Sequence, residues 1–259
     1  MKRRGLTLIE VIVVTGILTL LIALAASSTR QVIGTSRSTQ CRANLRQLHL
    51  AAESYRGIES AYPAAVLYYA DSGALRTASW DFDHRGDGTI EPGPLWSYLG
   101  DARVLQCPDF KGHSTFGNDP ATGYNYNTSF VGAEGRFPTI DDAGNILEGW
   151  NHCRKAIPAA AHRRTTTTAL FGDGGWALGA NKFMRGPENE VESDLQLVHA
   201  GTQSFRHLGC TNVVYLDGHC ECRDACFEGP HATPELLRDV TDFPRNGFLS
   251  EDDAQYDPR

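Results

Sequence analysis

The chain has 259 residues and a formal net charge of −7. Its length suits one N-terminal anchor plus one domain of ordinary size, and its acidic balance argues against non-specific nucleic-acid binding. Seven cysteines in a chain that reads as exported suggest disulfides, with at least one thiol left free or paired between chains, and spacing alone does not give their connectivity.

The first element is an apolar run from Leu6 to Ala26, preceded by Lys2, Arg3, Arg4 and Gly5. A run of about 20 apolar residues suffices to cross a bilayer as a helix. The basic residues before it place the N-terminus on the cytoplasmic side and the rest of the chain outside. Glu10 interrupts the run, and a carboxylate there costs roughly 2.5–3.5 kcal/mol on insertion scales. That cost makes sense if Glu10 meets a positive partner. An ordinary secretory signal peptide is the simpler reading, with Ala23-Leu24-Ala25 as a cleavage site; Glu10 and the Gly5-Leu6 junction speak against it.

The basic leader and Gly5-Leu6-Thr7-Leu8-Ile9-Glu10 resemble the N-terminal signal of type IV pilins and type II secretion pseudopilins. The resemblance implies cleavage after Gly5 by a prepilin peptidase, N-methylation of Leu6, and pairing of Glu10 with the N-terminal amine of a neighbouring pilin-like subunit. It also implies a single-pass protein of the bacterial inner membrane with an extracytoplasmic head. Leu6 stands where the family usually has Phe, and Ser27 where many pilins have a helix-kinking Pro.

Helix signals continue after Ala26. Residues 27–57 contain no Pro, and Leu45, Leu48, Ala52 and Tyr55 recur at helical spacing as a stripe suited to packing on a sheet. Arg37, Arg42 and Arg46 fall on the opposite, wet side. One helix is expected from about Leu6 to Arg56, with Gly57 as its C-cap. A head over 58–228 follows. Thr166–Gly172, Asn212–Leu216 and His219–Arg223 read as strands, and Asp217-Gly218 between the last two is a hairpin turn. Long loops are expected between Tyr62 and Ala160. In the segment 229–259, Thr233-Pro234 starts a short helix, and the acidic stretch after it is expected to fray. The expected fold is α+β: a long N-terminal helix, transmembrane in its first half (6–26), packed on a small antiparallel sheet.

His207, nine residues, then Asp217-Gly218 resembles the processing-associated His-x9-Asp-Gly domain found behind pilin-type N-termini. Cys41-Arg-Ala-Asn-Leu-Arg-Gln-Leu, Cys107-Pro108-Asp109 and Leu170-Phe-Gly-Asp173 are further pieces of that pattern. Within the resemblance, Cys41 and Cys107 are the pair expected to form a disulfide tying helix to head. Cys210, Cys220, Cys222 and Cys226 are read as a staple of the terminal hairpin.

No nucleophile motif stands out, and the head is read as non-enzymatic with no catalytic residue. Asp173, His207 and Asp217 could form an acid–base or metal constellation, but the favoured reading gives Asp217 to its turn and His207 to a local hydrogen bond. His219, Cys220, Cys222 and Cys226 lack the usual paired spacing of a zinc site. Asp81, Asp83, Asp87 and Glu91, interleaved with Gly86 and Gly88, resemble an EF-hand-like loop and nominate calcium as the candidate cofactor. Arg85 and Pro94 are misfits to that pattern. The functional expectation is a pilin-like subunit of a secretion pseudopilus or pilus-like fibre. The alternative is a surface-anchored binding module recognising a polysaccharide or secreted protein through Trp80, Trp96, Tyr124, Tyr126, Trp150 and Trp176.

Overall fold

The computed structural model describes residues 7–71, 74–114, 118–135, 139–142, 146–148, 156–177, 179–188, 195–242 and 245–259. Helix α1 (Leu8–Glu59) is 52 residues long, about 78 Å at 1.5 Å per residue. It starts on a capping box. The Thr7 hydroxyl accepts from the Glu10 N–H at 3.3 Å, and the Thr7 N–H donates back to the Glu10 carboxylate at 2.8 Å. It runs through Gly57 and ends at Ser60, whose φ of 60° makes the left-handed cap. The expected stop at Gly57 is thus displaced by three residues. Tyr62 folds back onto the last turn and donates to Glu53, which also takes Arg56; these contacts hold that turn helical.

The two halves of α1 differ in environment. From Leu8 to Leu24 the large apolar side chains are exposed, Leu8 at 79% and Ile22 at 67%. From Ser38 onward one face is buried: Cys41, Asn44, Leu45, Leu48, Ala51 and Ala52 follow the three-to-four-residue period of a helix.

The strands follow in chain order. β1 (Val66–Asp71), β2 (Ala74–Ser79), β3 (Phe82–His84) and β4 (Ile90–Pro92) form an antiparallel meander. β5 (His113–Ser114), β6 (Tyr124–Asn127), β7 (Thr139–Ile140), β8 (Ile146–Glu148), β9 (Ala169–Asp173), β10 (Gly179–Ala180) and β11 (Phe183–Met184) come next. After helix α2 (Leu195–Ala200) come β12 (Gln203–Ser204), β13 (Thr211–Tyr215), β14 (Cys220–Arg223), the short helix α3 (Pro234–Leu236) and β15 (Asn246–Gly247). The central sheet has the order β11-β6-β9-β13-β14. Its β11–β6 pair is parallel and its other pairs antiparallel. β13 and β14 are joined through Asp217-Gly218, and Gly218 takes the φ of 89° that the turn needs.

All five residues of β13 are buried because both faces of the sheet are covered. Val214 and Leu216 join the core with Leu45, Leu48, Tyr126 and Phe171 of the α1 side. Val213 and Tyr215 point the other way, into a second core with Val198, Phe248, Leu249 and Tyr256.

Four expectations are corrected. Among the described residues no helix is long and apolar enough to cross a membrane. The stretch from Leu8 to Leu24 carries Glu10, and Thr15, Gly16 and Thr19 interrupt its apolar side chains. The transmembrane first half and the single-pass inner-membrane location are overturned by that finding. The β-structure is also not one small antiparallel sheet. It is a mixed five-stranded sheet, a four-stranded meander and three two-stranded pairs, because β11 reaches β6 from a later part of the chain and pairs parallel. The region expected as long loops contains β1 to β8. Finally, the C-terminal segment does not fray. Phe248, Leu249 and Tyr256 are buried, and β15 pairs with β12; these apolar side chains outweigh the acidic composition around them.

Candidate functional site

Four chemically active side chains meet between α1 and the central sheet. Cys41 lies on the buried face of α1. Cys107 follows a 3-10 turn over Ala102–Leu105, which Asp101 caps by accepting from the Arg103 N–H at 2.9 Å. Its own N–H donates to the Thr122 carbonyl at 3.1 Å, which fixes the loop. Asp173 is the last residue of β9. His207 opens a tight loop after β12 in which Leu208 and Gly209 take positive φ and His207 and Cys210 exchange backbone hydrogen bonds of 3.0 and 3.1 Å.

Their ligand-type atoms all lie within 4.8 Å of one another, and no side chain of the four is more than 1% exposed. The Cys41 thiol donates to Asp173 Oδ1 at 3.1 Å, and the Cys107 thiol lies 3.7 Å from the same oxygen. His207 Nε2 is 3.5 Å from the Cys107 sulfur and 3.4 Å from Asp173 Oδ2. Asp173 Oδ2 also accepts the Asn212 N–H at 2.7 Å. On the outer side, His207 Nδ1 is 3.3 Å from Asp109 Oδ2, and Arg37 donates to Asp109 Oδ1 at 2.8 Å. Arg206 lies beside the cluster and donates to the carbonyls of Gly123 and Gly174.

The electrostatics follow from burial and pairing. Burial alone would push the Asp173 carboxyl up, but His207, Arg206 and the Asn212 N–H outweigh it and hold the group below the usual carboxylate range. His207 is pushed up to about 10: burial opposes its charge, and Asp173 and Cys107 more than compensate. The two thiols divide. Burial raises Cys41, whereas Cys107, against the same penalty, is lowered by its contact with Cys41, by Arg206 and by His207. The cluster therefore holds two sulfurs, a carboxylate and an imidazole, the donor types of a transition-metal site.

Other residues nominated from the sequence sit elsewhere. Gly5, Leu6 and Trp150 lie outside the described residues. Glu10 is exposed and closes the capping box with Thr7. Asp217 stays at the hairpin turn, 2.6 Å from His219 Nδ1; Gly218 packs against the His49 ring. Cys210 and Cys222 form a disulfide across the β13–β14 hairpin, whereas Cys41, Cys107, Cys220 and Cys226 are free thiols. Cys41 and Cys107 are thus brought together as thiols, not as the expected disulfide.

The four acidic-loop residues each turn to a separate partner. Asp81 takes Lys182 at 2.7 Å, Asp83 takes Arg76 at 2.9 Å, Asp87 takes the Thr89 N–H at 2.9 Å, and Glu91 takes Arg85 at 3.0 Å. Trp80, Tyr124 and Tyr126 are buried in the core, not displayed on a surface. Trp96 donates to the Asp81 carbonyl at 2.6 Å, and Trp176 is half-buried.

Reading the sequence missed Asp109, Arg206 and Asn212 as partners of the cluster. It also missed Lys182, 1% exposed between Asp81 and Asp119. The available signal for Asp109 was its place in the same Cys107-Pro108-Asp109 tripeptide.

Fold and site together define an α+β protein in which a long helix is joined to a mixed sheet at a buried Cys-Cys-Asp-His cluster. No family model, no curated protein and no solved structure matches the chain.

Proposed function

We propose that the chain is a non-enzymatic, pilin-like subunit, cleaved after Gly5 and assembled with copies of itself through the first half of α1. The observation that carries this reading is the exposure of Leu8, Ile9, Ile12, Ile17, Leu21 and Leu24 on a helix whose second half is built into the head. A helix apolar all round is stable only when covered. Equivalent helices from neighbouring copies supply a cover of matching shape. Glu10, exposed on that helix, offers one negative charge to the amine of a neighbouring processed subunit. The cluster at Cys41 is enclosed and presents no face to a substrate, which fits a subunit better than a catalyst.

Ile17→Asp and Leu21→Asp test the reading, because both positions are exposed and neither touches the head. We expect the full chain to sediment as large assemblies and the double variant to stay monomeric with the same thermal unfolding of the head. Glu10→Val should assemble less well. Large assemblies formed equally by the double variant would overturn the proposal.

A further inference from the structure

We propose that Cys41, Cys107, Asp173 and His207 bind one zinc ion, which clamps helix α1 to the head. Zinc takes thiolate sulfur at about 2.3 Å, imidazole nitrogen at about 2.0–2.1 Å and carboxylate oxygen at about 2.0–2.2 Å, so tetrahedral donors stand about 3.3–3.8 Å apart. Four of the separations, 3.1, 3.4, 3.5 and 3.7 Å, fall close to that range, and all the donor atoms lie within 4.8 Å of one another. Two thiolates favour zinc over calcium or magnesium, which want oxygen donors.

The surroundings are those of a metal-binding histidine. His207 Nε2 faces the sulfurs, while Nδ1 is a buried nitrogen with no hydrogen-bond partner, facing Asp109 at 3.3 Å. Ligation through Nε2 fixes the proton on Nδ1 and turns that contact into a hydrogen bond, the usual carboxylate–imidazole–metal arrangement. Arg37 orients Asp109 from the other side at 2.8 Å. The charges also balance. Two thiolates and one carboxylate carry three negative charges, zinc supplies two positive charges, and Arg206 supplies the last.

The ion has a structural role. All four positions are protein ligands and the site is closed, whereas a catalytic zinc keeps one position open. The ligands come from α1, the loop after the 3-10 turn, the end of β9 and the loop after β12. One ion therefore fixes four segments that are far apart in sequence, and its binding energy becomes folding energy. This inference concerns the head alone and stands apart from assembly through Leu8–Leu24.

The test is elemental analysis of the full chain purified without chelator, combined with intact mass and thiol titration. We expect one zinc per chain, both thiols reduced, and the strong visible bands of tetrahedral thiolate-bound cobalt when cobalt(II) replaces zinc. His207→Ala and Cys107→Ser should lose the metal. Because they can also lose the fold, Asp109→Asn supplies a second reading: as a positioning residue it should weaken zinc affinity about 10–100-fold while the chain stays folded. Asp217→Asn, at the hairpin turn, should bind zinc as the parent does. A metal-free chain with a Cys41–Cys107 disulfide would overturn the proposal, as would full zinc retention in Cys107→Ser.

Discussion

Lys182 shows how single residues in this head are held by charge rather than by apolar contact. Its ammonium lies between Asp81 at 2.7 Å and Asp119 at 2.8 Å, and His84 reaches Asp119 at 2.8 Å from the far side. Burial pushes the Asp81 carboxyl up; the same penalty on Asp119 is outweighed by His84 and Lys182, which hold it down. A buried cation between two carboxylates is tolerated because each charge has a partner. Asp253 is the opposite case. Its Oδ1 accepts the Glu188 N–H at 3.0 Å, yet its carboxyl is pushed up to about 6, by burial first and then by Glu188, Asp257 and Asp252. An unfolded Asp titrates near about 3.9. Between those values the folded chain binds more protons than the unfolded chain, so this group's contribution to stability falls as pH rises from about 4 to about 6. Asp253→Asn keeps the acceptor and removes the charge. We expect it to flatten that part of the Tm–pH curve and to raise Tm at neutral pH. Parallel curves for the two proteins would rule the assignment out.

At the scale of elements, α1 carries two surfaces whose periodicities differ. The buried stripe of the second half is set by Leu45, Leu48 and Ala52, each 0% exposed, and was legible from spacing alone. Leu48→Ala should cost about 2–5 kcal/mol, read as a drop in urea midpoint with an unchanged slope. A cost below about 1 kcal/mol would mean that the helix is not held by this face. The β13–β14 hairpin was legible for the same reason, since Asp217-Gly218 is a local signal. The meander β1 to β4 was not. β2 is partly buried over its first three residues, β3 is buried at two successive positions and β4 is largely exposed, so the meander offers no clean alternation to read. The cluster was legible only in pieces. Each of its four residues stood in a recognisable motif, but Cys41 and Asp173 are 132 residues apart, and Cys107 and His207 are 100 apart. Sequence spacing carries no trace of such convergence. His207 therefore read as a local hydrogen bonder, and the two cysteines as a disulfide. The exchange with Cys210 shows that the local part was real; the imidazole was the part that pointed elsewhere.

Across the whole molecule, the central sheet is sandwiched between α1 and the C-terminal segment, and the two cores depend on each other through β13. Composition hid the second layer, because Glu251, Asp252 and Asp253 suggest a solvated end, while the anchoring residues Phe248, Leu249 and Tyr256 are few and widely spaced. Backbone contacts complete the strap. Asn127 Nδ2 donates to the Tyr256 carbonyl at 2.8 Å, the Tyr256 hydroxyl accepts the Leu249 N–H at 2.8 Å, and the N–H groups of Arg163 and Arg164 donate to the Pro258 carbonyl at 2.6 and 2.9 Å. Removing the strap would expose Val213 and Tyr215 on one face of β13 while Val214 still holds α1 on the other. A strand buried on only one face cannot keep both cores, so damage to the strap should reach the helix. Tyr256→Ala removes a fully buried ring, at a cost of about 3–5 kcal/mol by analogy with other buried aromatics. If the layers unfold together, amide exchange at Leu45 and Leu48 should accelerate by the same factor as exchange at Val213. Faster exchange confined to the C-terminal segment would show instead that the strap is an independent layer and that α1 and the sheet form a self-sufficient unit.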